Sequence, residues 1–193
     1  MKRWIVGACA AAAVASSDAR ASVSIQVTWD GLLRESTAAV LATVDQTNPV
    51  WENGRIYTYS HLHVERVMAG ALAGDRDTWV RTMGGVVGKV GQLVEGEAVL
   101  APGYRSVLFV HPGPAGAYVV TARGQGQFPV VADPNDSSAA PHLVRSNAAG
   151  ALLPPRPSSS APAAPPAADV LHGRSVEDAA ASIQADWGRT HGS

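Results

Sequence analysis

The sequence holds one cysteine, Cys9, in 193 residues, and that cysteine lies inside an N-terminal segment built like an export signal. Lys2 and Arg3 supply a positive start, Trp4 to Ala15 is apolar or small throughout, and Ser16, Ser17 and Asp18 lead into the small-x-small site Ala19-Arg20-Ala21. Residues 1–21 are therefore expected to be a signal peptide cleaved after Ala21, which makes the protein secreted or periplasmic. Cleavage there removes the only cysteine, so disulfides, thiolate catalysis and cysteine metal sites are excluded together. Lipidation of Cys9 is disfavoured as well: Val6-Gly7-Ala8-Cys9 loosely resembles a lipoprotein box, but it follows Arg3 too closely to leave a full apolar region. A long hydrophobic run is also missing. A spanning helix needs about 20 apolar residues, and no stretch of the mature chain supplies them.

Lysine is nearly absent, represented by Lys2 and Lys89 alone. The whole chain has 15 basic and 16 acidic residues; removing Lys2, Arg3, Arg20 and Asp18 leaves 12 and 15, a mature charge of −3. That balance excludes a nucleic-acid partner, which calls for clustered Lys and Arg. Complete catalytic signatures are missing too. No Gly-x-Ser-x-Gly elbow occurs. The stretch Gly84-Gly85-Val86-Val87-Gly88-Lys89-Val90-Gly91 fails as a phosphate loop, since Met83 stands where the first glycine belongs and Val90 where Ser or Thr belongs. Arg123-Gly124-Gln125-Gly126-Gln127-Phe128 reads as a tight turn sooner than an anion nest. Asp75, Asp77, Glu95 and Glu97 sit beside glycines and read as solvated turn charges.

What the chain does contain is a series of short β patterns. Val23, Ile25 and Val27 alternate as in a half-buried strand. Thr28 is placed to cap a short helix over 29–36. Ala38 to Val44 is β-compatible, and Asn53-Gly54 between two extended runs predicts a hairpin, because both residues tolerate positive φ. In the second arm, 55–67, Ile56, Thr58, Ser60, Leu62 and Val64 alternate with Tyr57, Tyr59, His61, His63 and Glu65. A strand so long must bend, and the small Thr58 and Ser60 are the expected place. Further strands are expected over 78–82, 92–94, 106–111, 117–121, 127–131 and 142–146. The run 106–111 is nearly all apolar, as in a central strand. Many short strands with turn signals between them argue for one small mainly-β domain over 22–153, an OB-like barrel or alternatively a β-sandwich.

From Leu153 the composition shifts to Pro, Ala and Ser, predicting a disordered linker over 154–170. In the tail, 171–193, Ser175-Val176-Glu177-Asp178 resembles a capping box, and Val176, Ala179, Ala180, Ile183 and Trp187 recur near helical spacing. A short amphipathic helix is expected there, with Ile183 and Trp187 docked on the barrel or on a partner.

The order of motifs resembles that of a group of secreted bacterial proteins with an OB-like barrel. The motifs are Val40-Leu41-Ala42-Thr43-Val44, Gly54-Arg55-Ile56-Tyr57-Thr58, Val64-Glu65-Arg66-Val67-Met68-Ala69-Gly70, Gly84-Gly85-Val86-Val87-Gly88, Pro102-Gly103-Tyr104-Arg105-Ser106-Val107-Leu108-Phe109-Val110 and Gly124-Gln125-Gly126-Gln127-Phe128. More remotely the layout is similar to netrin and metalloprotease-inhibitor modules. The resemblance implies a fold and transfers no functional residue, because the inhibitors rely on an N-terminal cysteine that the mature chain lacks.

Three functional readings follow. The first is an exported non-catalytic binding module for a protein, peptide or envelope component, with Tyr57, Tyr59, His61 and His63 as its surface and no cofactor. Aromatic residues are favoured at interfaces, and a monomer is expected. The second is a divalent-metal protein or metal-dependent hydrolase using His61 and His63, which needs a third ligand such as His111, His142 or Glu65. A structural envelope protein tethered through the Pro-rich segment is a further alternative.

Overall fold

The computed structural model describes residues 23–73, 77–133, 136, 138–155 and 164–192. The expected signal peptide, Cys9, Asp75 and the middle of the expected linker lie outside these residues. Eleven strands are formed among them: β1 (Val23–Ile25), β2 (Ala38–Glu52), β3 (Arg55–Gly70), β4 (Asp77–Met83), β5 (Gly85–Val87), β6 (Val90–Gln92), β7 (Arg105–Pro112), β8 (Tyr118–Val120), β9 (Gln127–Val131), β10 (His142–Leu143) and β11 (Ala151–Leu153). The helices are α1 (Trp29–Glu35), α2 (Ala167–Leu171) and α3 (Val176–His191). None is long and apolar enough to cross a membrane.

The main sheet runs β10-β9-β7-β2-β3-β4-β8, and β8 returns to pair with β7. Five strands thereby close into a barrel in the order β7-β2-β3-β4-β8, antiparallel except for the parallel β4–β8 pair. This is the OB-like barrel of the sequence reading, not the sandwich. The β2–β3 hairpin turns at Asn53 and Gly54, with φ of 49° and 77° as the tight turn requires.

The 16-residue β3 bends at bulges. Val40 faces Val67 while Ala39 faces Ala69, and Ala42 faces Val64 while Leu41 faces Arg66, so Met68 and Glu65 are extra residues on β3. Asp45 is the corresponding extra residue on β2. A bulge kinks its strand and increases the twist. Thr58 and Ser60, the expected site of the bend, lie in unbroken register opposite Pro49 and Thr47. The correction has a physical basis: small side chains only permit curvature, whereas an extra backbone residue imposes it.

Two cores share β2 and β7. Val40, Ala42, Leu108 and Val110 point into the barrel with Leu62, Val64, Val80, Tyr118 and Val120. Their neighbours Ala39, Leu41, Val107 and Phe109 point outward into a second core under the helices, with Trp29, Leu33, Phe128, Leu171, Ala180 and Ile183. Strands buried on both faces read as continuous apolar runs, which is why 106–111 shows no alternation.

The helices are fixed by their caps and this second core. Thr28 Oγ1 accepts from Gly31 N at 3.2 Å, and Ser175 Oγ accepts from Asp178 N at 3.1 Å. Ile183 of α3 is fully buried, Trp187 packs on the same cluster, and Trp29 Nε1 donates to Asp186 Oδ2 at 2.7 Å. The tail therefore docks on its own barrel. The linker expectation is corrected at its end: residues 166–170 are structured, with Ala167 N bonded to Val27 O at 3.1 Å and Ala167 and Leu171 buried. Local composition hides this, because an alanine-rich segment folds only when another surface supplies the core. Two strands also differ from expectation. The glycine stretch folds as the β5–β6 hairpin ending at Gln92 in place of a strand over 92–94, and 142–146 contributes only the two-residue β10.

Candidate functional site

Period-2 alternation turns Tyr57, Tyr59, His61 and His63 of β3 to the outside of the barrel. In register beside them on β4 lie Met83, Arg81, Trp79 and Asp77, and on β2 Val50, Asn48, Gln46 and Thr43. Glu52, two residues beyond Val50, shares the face.

Arg81 organises its upper half. Its guanidinium carbon lies 3.4 Å from the centroid of the Tyr57 ring and 5.9 Å from that of Tyr59. Its Nη2 donates to Glu52 Oε2, and Tyr59 Oη donates to Glu52 Oε1 at 2.6 Å. A cation over a ring face is attracted by the ring quadrupole, and the shared carboxylate fixes both neighbours. The Tyr59 hydrogen bond, followed by the Arg81 bond, holds the Glu52 carboxyl below the usual carboxylate range, while the same bond raises the Tyr59 hydroxyl.

The pH dependence has a definite sign. A carboxyl with a depressed folded pKa stabilises the fold above its unfolded pKa, and that contribution is lost as the pH falls through the folded value. Acidification below the ordinary glutamate range is expected to release Arg81 and Tyr59 from Glu52, seen as loss of the upfield shift that the Tyr57 ring current imposes on the Arg81 side-chain protons. Glu52→Gln should give the released spectrum already at neutral pH; pH-independent Arg81 side-chain shifts in the unmodified protein would contradict this arrangement.

The lower half holds the histidines. His61 Nδ1 lies 3.2 Å from Oδ2 of the bulged Asp45, and its ring tilts against Trp79 with centroids 4.9 Å apart. His63 is exposed on the same face. The suggested third ligands are engaged elsewhere. Glu65 accepts from Arg105 Nη2 at 2.7 Å and from Thr43 Oγ1 at 2.8 Å, which holds its carboxyl low. His111 Nδ1 pairs with Thr121 Oγ1 at 3.0 Å, and His142 lies on the far edge strand opposite Val131. Among the described residues, no group of three or more His, Cys, Asp or Glu is placed to hold a metal ion.

Beside this face opens a cleft of about 300 Å³, lined by Asn48, Tyr59 and Trp79 and by Ala115, Gly116 and Ala117 of the turn joining β7 to β8. Trp79 is 37% exposed. Ala115 has φ of 57°, in the left-handed region that a residue with a Cβ adopts at a cost of about 1 kcal/mol. The cleft thus has an aromatic wall, an amide and a strained main-chain rim.

The sequence reading identified the β3 row and missed Asn48, Glu52, Trp79, Arg81 and the turn. Trp79 and Arg81 alternate with Val80 on a recognisable strand, so their common face was accessible; their pairing beside Tyr59 was not. Two further charged candidates pair with each other: Arg123 Nε donates to Glu97 Oε2 at 3.3 Å, and 123–126 form one 3-10 turn. No protein-family model matches this chain, and no curated protein matches it significantly.

Proposed function

We propose that this chain is an exported, non-catalytic binding module that holds a protein, peptide or other envelope component on the outward face of β2, β3 and β4. The observation that carries the reading is the cleft beside a prearranged aromatic surface. Tyr57 and Tyr59 are held by Arg81 and Glu52 before any ligand arrives, which lowers the ordering entropy that binding must offset. The position also fits the barrel. OB-type barrels bind ligands on the face of their second and third strands, bordered by the loop between the fourth and fifth; here those are β3, β4 and the Pro114–Gly116 turn.

The test is retention of a ligand from envelope and culture fractions of the producing cell by immobilised mature protein. Trp79→Ala should weaken retention at least tenfold, the scale of a buried aromatic anchor, and the joint alanine replacement of Tyr57, Tyr59, His61 and His63 should abolish it. Arg34→Ala, on exposed α1 surface, should leave it intact. Equal retention by all of these proteins would overturn the assignment of the face.

A further inference from the structure

A second concavity lies apart from the β3 face, between the loop that leads into β7, strand β9 and the segment after β10. It has a volume of about 580 Å³, within the range of about 300–1,000 Å³ usual for small-molecule sites. We infer that it is a binding site for a small amphipathic anion, an apolar ring-sized body carrying one carboxylate or sulfonate that pairs with Arg145.

Three observations carry this. First, the site is built before any ligand enters. Gln127, 2% exposed on its floor, donates Nε2 to Val99 O at 2.6 Å and accepts at Oε1 from Val99 N at 3.0 Å. The same loop is tied to β2 by Gly103 N to Val44 O at 2.7 Å and Val44 N to Tyr104 O at 3.0 Å. Second, the walls are apolar and still wet: Val99 is 54% and Tyr104 57% exposed, with Val130 and Val144 half-buried beside them. Covering such surface removes apolar area from water, which favours binding.

Third, the charge at the lining is one-sided. Two arginines, Arg105 and Arg145, border the cavity and no carboxylate does, in a chain whose net charge is −1. Arg105 is already neutralised by Glu65 at 2.7 Å. Arg145 is exposed, and its guanidinium has no ion-pair partner among the described residues. A guanidinium offers a fork that matches the two oxygens of a carboxylate. An apolar hollow with one open cation at its rim selects for a ligand with the same two parts.

The probes are naphthylacetate and its uncharged counterpart naphthylacetamide, titrated into the mature protein and followed by amide NMR shifts. Naphthylacetate should saturate at one equivalent, with the largest shifts at Val99, Tyr104 and Ser146, and should bind about tenfold tighter than the amide. Arg145→Gln should remove that preference while leaving the spectrum of the free protein otherwise unchanged. Trp79→Ala, on the other face, should bind as the unmodified protein does, so the outcome is independent of the function proposed above. Absence of saturable shifts at these residues, equal affinity for acid and amide, or an acid preference that survives Arg145→Gln would each overturn the assignment.

Discussion

Ile183→Asp is expected to abolish the cooperative unfolding transition of the whole domain, barrel included. Ile183 has no exposed surface and sits in the core shared by α1, α2, α3 and the outer faces of β2 and β7. Removing such a side chain costs about 2–5 kcal/mol. Placing a carboxyl there adds several kcal/mol of desolvation without a partner. The sum is comparable to the entire stability of a small domain, roughly 5–15 kcal/mol. Because β2 and β7 carry both cores on opposite faces, exposing one core loosens the strands that build the other. Gln184→Asp, one residue further on the exposed side of α3, should shift stability by no more than about 0.5 kcal/mol. Thermal unfolding followed by circular dichroism checks both. A folded Ile183→Asp barrel with only the tail released would show that the helices are an appendage.

Gly70→Ala should destabilise the fold by about 2–4 kcal/mol, the sum of a left-handed backbone conformation and overpacking against rigid neighbours. Gly70 ends β3 with φ of 74°. A Cβ there would lie 2.1 Å from Thr37 O, 2.9 Å from Ala38 Cα and 2.7 Å from Trp187 Cζ2. The first two contacts are main chain and cannot rotate away, so either the end of β3 or the start of β2 must move. The third transmits the displacement to α3. Denaturant unfolding should show a lower midpoint with unchanged slope, and the Trp187 environment should change in fluorescence. Stability within 0.5 kcal/mol of the unmodified protein would contradict the close approach.

These two residues also show how the sequence carried the fold. Ile183 and Trp187 were legible as a docking stripe, because that stripe depends on local period and spacing, whereas the strand was expected to end at Val67, three residues short of Gly70. The hairpin at Asn53-Gly54, the Thr28 and Ser175 caps and the central strand 106–111 were legible for the same reason as the stripe. What was not legible depends on pairing between distant segments. The bulges at Asp45, Glu65 and Met68 exist only relative to a partner strand. The helix at Ala167–Leu171 exists because Val27 and Thr28 receive it.

The candidate site divides along the same line. Tyr57, Tyr59, His61 and His63 share a face by simple alternation, so the row could be read directly. The Arg81–Glu52 clamp joins β4 to the far end of β2, and the cleft needs the β7–β8 turn to close against β4. Residue type and spacing offered the two histidines as metal ligands in the second reading; in the folded chain His61 has an aspartate and a tryptophan as neighbours.

Photo-crosslinking in the producing cell tests the binding face most directly. With benzoylphenylalanine in place of Trp79, at the wall of the cleft, ultraviolet light should yield one discrete adduct that is absent when the same group replaces exposed Gln184 on α3. Adding Tyr59→Ala to the Trp79 position should reduce that adduct. No adduct at position 79, or the same adduct from position 184, would contradict the assignment of ligand binding to the outward face of β2, β3 and β4.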